Sequence, residues 1–60
     1  MYLLQLLLPD GWDTADTTPC PRWALAWWEI TRGGIDLGDA GAVGCRVVDG
    51  GGRVVYTYAA

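Results

Sequence analysis

The chain has 60 residues, 52% of them apolar, and seven acidic against four basic side chains give it a formal net charge of −3. A chain of this length forms one domain at most and buries only about 60% of its unfolded surface, so its core is expected to be small. The apolar content argues against disorder. The acidic balance argues against nucleic acid as the main partner, because that affinity comes from Lys and Arg on phosphates.

Five residue types are missing from the chain: Lys, His, Ser, Asn and Phe. Without His, Ser and Lys it lacks the usual general base, the commonest hydroxyl nucleophile and the Schiff-base amine. We therefore predict a protein that is not an enzyme and that uses no cofactor. Because the codons of Lys, Asn and Phe are poor in G and C, the composition also predicts a GC-rich source genome, that of a bacterium or its phage.

Residues 2–17 predict a first β-hairpin. Tyr2 to Leu8 is typical of a strand, and Pro9-Asp10-Gly11 is a turn signal, because Pro presets φ and Gly tolerates positive φ. The returning segment, residues 12–17, is short and rich in Asp, as edge strands are. Alternation along the first strand places Tyr2, Leu4, Leu6 and Leu8 on one face and Leu3 and Leu7 on the other.

A helix is predicted over residues 19–32. Thr18-Pro19 is typical of an N-cap followed by Pro at the first helical position, and Gly33-Gly34 is typical of a helix stop. The alternative for residues 23–30 is a strand, since Trp and Ile favour sheets and a short apolar run is not settled by periodicity.

The helical wheel of this segment predicts one buried stripe. At about 100° per residue, Trp23, Trp27 and Ile30 fall on one side, with Cys20 and Ala24 close beside them. Two apolar side chains fall outside the stripe and are predicted to be exposed. They are Leu25 and Trp28.

A loop is predicted over residues 33–44, because its density of Gly and Asp suits neither a helix nor a sheet. Residues 43–58 then predict a second β-hairpin around Asp49-Gly50-Gly51-Gly52. A two-residue and a four-residue loop give the same register, with Val47 opposite Val54 and Cys45 opposite Tyr56. One face of this hairpin then holds Val43, Cys45, Val47, Val54, Tyr56 and Tyr58.

Together these elements predict an α+β fold of one domain, residues 1–60. The order is ββαββ, and we expect a small two-layer domain in which one helix packs on one face of a four-stranded antiparallel sheet. The longest unbroken apolar run, residues 23–28, is too short to span a bilayer. The apolar start of the chain lacks the basic region and cleavage motif of a signal peptide, which predicts a cytoplasmic protein without a membrane anchor.

The aspartates and the two cysteines are the side chains most typical of a site of chemistry in this chain. Asp10, Asp13 and Asp16 recur at a spacing of three, as do Asp36 and Asp39, but the pattern matches no known calcium loop, so no metal site is predicted. Cys20 near a helix N-terminus has no His to activate it. Cys20 and Cys45 are predicted to be buried thiols, with a single disulfide as the alternative.

The sequence carries more large apolar side chains than one helix on one sheet can cover. We therefore expect a small interaction or self-assembly protein, with a homodimer as the favoured form and another protein as the other partner considered. The predicted surfaces are Leu3, Leu7, Val48 and Val55 on the open sheet face, or Leu25 and Trp28 on the helix. The alternative is weak nucleic-acid binding through Arg46 and Arg53 on the outer sheet face.

Overall fold

A computed structural model describes residues 1–38 and 41–59 of the chain. Its elements are β1 (Tyr2–Leu8), β2 (Gly11–Thr18), α1 (Pro21–Asp36), β3 (Gly44–Val48) and β4 (Val54–Ala59). The four strands form one antiparallel sheet in the order β2-β1-β3-β4, and α1 packs on one face of it. The predicted ββαββ fold is confirmed. The described residues include no helix long and apolar enough to cross a membrane.

The first hairpin has the expected form, and β2 is an edge strand of the sheet. Leu8 pairs with Gly11 across the turn. Leu4 pairs with Asp16 whereas Gln5 pairs with Thr14, so Ala15 is an extra residue in β2. A bulge of this kind bends an edge strand and disrupts regular pairing along it.

The helix begins two residues later than predicted. Thr18 is the last residue of β2, where it pairs with Tyr2 and is buried, so it is not available as the N-cap. Cys20 takes that position, and its carbonyl oxygen accepts the first helical hydrogen bond from Ala24 at 3.0 Å. Pro21 then occupies the first turn, where its missing N–H costs nothing.

The predicted helix stop at Gly33-Gly34 is wrong, because α1 continues to Asp36. The extra turn carries Ile35, which is buried and only 6% exposed. Burying an Ile contributes about 1.5–3 kcal/mol, which offsets most of the roughly 1 kcal/mol that each helical Gly costs. The left-handed residue that follows the helix is Gly38, with φ of +77°, and its N–H donates to the Ile35 carbonyl at 3.0 Å. Residues 39 and 40 of the predicted loop lie outside the described residues.

The buried face of α1 also differs from the predicted stripe. Ala24 is 1% exposed and packs against Leu4 and Val47, with Trp27 and Trp28 beside them. Trp23 and Ile30, predicted to be buried, are 54% and 73% exposed. The cause is the added turn: Ile35 falls only about 20° from Ala24 on the helical wheel, so its burial rotates the helix away from the predicted stripe.

The second hairpin closes with a three-residue loop rather than two or four. The Asp49 N–H donates to the Arg53 carbonyl at 2.8 Å, and the Gly52 N–H donates to the Asp49 carbonyl at 3.0 Å. Gly52 has φ of +83°, as in a type I turn followed by a left-handed residue. The Asp49 side chain accepts from the backbone of Arg53 and Gly51, and these bonds hold its pKa below its ordinary value.

The register of β3 and β4 therefore differs from the predicted one by two residues at its far end. Val48 pairs with Val54, but Val47 pairs with Tyr56, so Val55 is an extra residue. Two successive shifts of one residue restore the original face, because side chains alternate with a period of two. Cys45 consequently pairs with Tyr58 rather than Tyr56, and the tyrosines stay on the predicted face.

Candidate functional site

The open face of the sheet, opposite α1, carries a polar ladder across three strands. The Gln5 side-chain amide donates to the Thr14 hydroxyl at 3.1 Å, and Arg46 Nε donates to Gln5 Oε1 at 2.7 Å. The Arg46 guanidinium carbon also lies 4.1 Å from the centroid of the Trp12 ring. Register explains the set, because Gln5 pairs with both Thr14 and Arg46. The sequence singled out only Arg46 of these four residues.

The apolar residues predicted on the open face do not form an exposed patch. Leu3 and Leu7 are half-buried, and Val48 is only 7% exposed. Val55 is exposed at 39%, but it is the extra residue at the register shift in β4. The four residues are thus not equivalent, and the polar ladder runs between Leu3 and Leu7.

The predicted helix pair, Leu25 and Trp28, is not an exposed surface. Leu25 is half-buried. The Trp28 ring packs against the core, and its centroid lies 5.6 Å from that of the Tyr56 ring. The guanidinium carbon of Arg32 lies over the Trp28 ring, 5.0 Å from its centroid. Its indole Nε1 is buried and has no hydrogen-bond partner among the described residues. Trp28 therefore belongs to the layer between helix and sheet.

The exposed apolar side of the helix is a different set of residues, here called the helix flank. It consists of Trp23, Ile30 and Leu37, which are 54%, 73% and 78% exposed. Their spacing of seven residues places them along one line of the helix surface. The helical wheel did not predict this set, because it places Trp23 and Ile30 in the buried stripe, and Leu37 falls in the predicted loop.

The two edges of the sheet differ sharply in charge. The edge strand β2 carries Asp13 and Asp16 and the Ala15 bulge, all of which hinder pairing with another strand. The edge strand β4, with the sequence VVYTYA, contains no charged residue and no Pro. Val54 and Val55 in it are 45% and 39% exposed. Both edge strands thus contain an extra residue, Ala15 in β2 and Val55 in β4, but within the described residues β2 alone also carries charged side chains that oppose strand pairing.

A hydrogen bond ties β4 to the helix and sets which side of α1 lies above it. The Tyr58 hydroxyl donates to the Asp36 carboxylate, and this bond is the main reason that the pKa of Tyr58 is raised above its ordinary value. Arg32, one turn before Asp36, stacks on Trp28, which in turn contacts Tyr56. The polar side of α1 therefore faces β4, and the helix flank faces the β2 side.

The two arginines of the nucleic-acid alternative occupy different environments. Arg46 is half-buried and already engaged with Gln5 and Trp12. Arg53 is exposed at the end of the hairpin loop, where its backbone donates to Asp49. A carboxylate beside Arg53 weakens its attraction for phosphates.

The acidic residues show no metal-binding arrangement in the described ranges, 1–38 and 41–59. No group of three or more His, Cys, Asp or Glu side chains comes together there. Asp39 lies outside these ranges. A shallow, open depression of about 290 Å³ lies at the turn between β1 and β2, and it is lined by Leu8, Asp10, Gly11, Trp12 and Asp13.

The two cysteines are free thiols in different environments. Cys45 is buried in β3, and its Sγ lies 4.0 Å from the Trp28 carbonyl oxygen. Burial raises the pKa of the Cys45 thiol, while the nearby Arg32 lowers it in part. Cys20, predicted to be buried, is exposed at the N-cap of α1. The pair thus follows the thiol prediction rather than the disulfide alternative.

The chain was also compared with known proteins. No family model, no curated protein and no solved structure matches it.

Proposed function

We propose that this chain is a small non-enzymatic interaction protein whose stable form is a homodimer. The observation that carries the proposal is the imbalance between its core and its exposed apolar side chains. Among residues 1–38 and 41–59, the largest fully buried side chains are Leu4, Val47 and Cys45. Those that remain exposed are Met1, Trp12, Trp23, Ile30, Leu37, Val43, Val54 and Val55.

Self-association supplies what so small a core lacks. A single core of this size contributes about 3–5 kcal/mol of stability. Each 100 Å² of apolar surface covered by a partner contributes about 2.5 kcal/mol, from which the free-energy cost of association is subtracted. A second copy is present whenever the protein is made, so it is the simplest partner. The cytoplasmic location and the phage origin stay predictions from sequence and composition.

The test is the solution mass by light scattering after size exclusion, repeated over a hundredfold dilution. We expect twice the 6.5 kDa chain mass at the higher concentrations. The melting temperature should also rise with protein concentration, because association stabilises only the folded state. A mass of one chain throughout, with a melting temperature independent of concentration, would contradict the proposal.

Nucleic-acid binding is the second candidate, supported by the stacked pair of Trp12 and Arg46 on the open sheet face. A single strand that stacks on Trp12 should quench indole fluorescence, and its affinity should fall with added salt. The matched control is Trp12→Leu. The net charge of −3 and the engagement of Arg46 by Gln5 place this candidate second.

A further inference from the structure

We infer that two copies join by antiparallel pairing of their β4 strands, which makes one continuous eight-stranded sheet. This inference rests on the homodimer proposed above and names its interface. The edge strand β4 has six residues and ends the sheet. The outward N–H and C=O groups of such an edge are a template for another strand. The sequence of β4 contains no charged residue and no Pro that would prevent pairing with another strand.

Two copies can join their sheets in three ways: β2 with β2, β2 with β4, or β4 with β4. The charges on the two edges favour pairing of β4 with β4. Pairing β2 with β2 brings Asp13 and Asp16 of both copies together, and like charges across strands repel. Pairing β2 with β4 is a head-to-tail contact that leaves a free edge at each end, so it adds copies without closing. Pairing β4 with β4 is self-complementary and closes at two copies.

The side chains of β4 indicate the position of the twofold axis. Val55 is the extra residue at the register shift, so the regular part of the strand is residues 56–59. An axis at Thr57, perpendicular to the sheet, keeps the same face of both copies on the same side. On the open face, Thr57 of one copy then lies opposite Thr57 of the other copy. On the helix face, Tyr56 of one copy lies beside Tyr58 of the other, and aromatic cross-strand pairs of this kind stabilise sheets.

The helix layer is compatible with this arrangement. The side of α1 that lies above β4 is polar and carries both signs of charge, as Arg32 and Asp36. In the dimer the polar sides of the two helices face each other, so Arg32 of one copy can face Asp36 of the other. The helix flanks, on the β2 side, remain exposed at the outer ends of the dimer, so of the exposed apolar side chains the β4 interface covers at most Val54 and Val55.

The experiment compares three single substitutions to Glu, one on the β4 edge, one on the helix flank and one on the open face far from β4. Thr57→Glu tests β4, Ile30→Glu tests the helix flank, and Thr14→Glu tests the open sheet face. Within one copy, Thr57 pairs with Arg46, so a Glu there meets an opposite charge and the fold is kept. Across the proposed axis it meets a second Glu.

We expect Thr57→Glu to raise the dimer dissociation constant by about fivefold, since one pair of like charges facing each other across the strands costs about 1 kcal/mol. Ile30→Glu and Thr14→Glu should keep the wild-type value. A Thr57→Glu protein that folds and keeps the wild-type dissociation constant would overturn the β4 interface. So would dissociation caused by either of the other two variants alone.

A cross-linking experiment tests the interface without a destabilising charge. In a Cys20→Ser background, Thr57→Cys should form a disulfide-linked dimer under mild oxidation, because residues facing each other across antiparallel strands lie within disulfide reach. Ile30→Cys in the same background should stay monomeric on a non-reducing gel. Linkage through residue 30 and not residue 57 would overturn the β4 interface while leaving the homodimer intact. A wild-type protein that is monomeric throughout would overturn both.

Discussion

The Tyr58 hydroxyl donates a hydrogen bond to the Asp36 carboxylate, and this contact joins the edge strand β4 to the last turn of α1. The bond favours the protonated phenol and so raises the pKa of Tyr58. A raised folded-state pKa contributes stability below the unfolded value of about 10, and that stability is lost as pH rises through the folded-state pKa. The link between strand and helix should therefore weaken in alkali.

Replacing the acceptor of this bond should restore ordinary titration of Tyr58. In Asp36→Ala we expect the tyrosinate absorbance to lose its highest-pH step, because the hydrogen bond that holds the proton is gone. The melting temperature of the variant should also depend less on pH above about 10. Titration curves that coincide for wild type and variant would show that the bond does not form in solution.

Removing a core side chain should leave the domain close to unfolding. Leu4 is fully buried, and Leu4→Ala is expected to cost about 2–5 kcal/mol, which is comparable to the whole stability of a core of this size. Ile30→Ala is the control, since Ile30 is 73% exposed and should change stability by no more than about 0.5 kcal/mol. Urea unfolding followed by circular dichroism measures both. Equal effects would show that the helix flank is buried.

Two glycines should respond in opposite directions to Ala. In Gly33→Ala the new Cβ meets nothing within 4 Å, so the higher helix propensity of Ala should stabilise the protein by about 1 kcal/mol. In Gly44→Ala the Cβ lies 2.7 Å from the Tyr58 carbonyl oxygen, and this overlap should cost about 1–3 kcal/mol. Thermal melting of the two variants beside wild type is the measurement. A stable Gly44→Ala protein would mean that β3 and β4 are farther apart there.

The two thiols should react at very different rates. Cys20 is exposed and should react with a thiol reagent at once, whereas Cys45 is buried and its pKa is raised, so little thiolate is accessible. We expect one equivalent to react in the native protein and a second only on addition of denaturant. Cys20→Ser should abolish the fast phase. A wild-type protein with no fast phase would show that Cys20 is covered.

Local signals predicted the elements that depend on neighbouring residues. The turn at Pro9-Asp10-Gly11 and the alternation along Tyr2 to Leu8 predicted the first hairpin, because both patterns act over a few residues. The glycines after Asp49 predicted the second turn, but not its length. Its three-residue loop and the extra Val55 were invisible to alternation, because two shifts of one residue leave the faces unchanged.

The candidate surfaces were harder to predict because they depend on which way the helix rolls. Trp23 and Trp28 have similar chemistry, and only contact with the sheet decides that Trp28 packs on Tyr56 while Trp23 stays exposed. The difference in charge between β2 and β4 could be predicted from the sequence. The position of β4 at an edge could not, because the sequence did not predict the order of the strands in the sheet.

The sequence by itself determined the ββαββ order, the positions of both turns, the acidic character of β2 and the absence of the commonest catalytic groups, since each follows from residue type and short-range spacing. Tertiary structure decided where α1 ends, which of its faces is buried and which strands lie at the edges. Those outcomes depend on free energies gained between distant residues. Burial of Ile35 in the folded domain offsets the cost of helical Gly33 and Gly34, and no local pattern contains that gain.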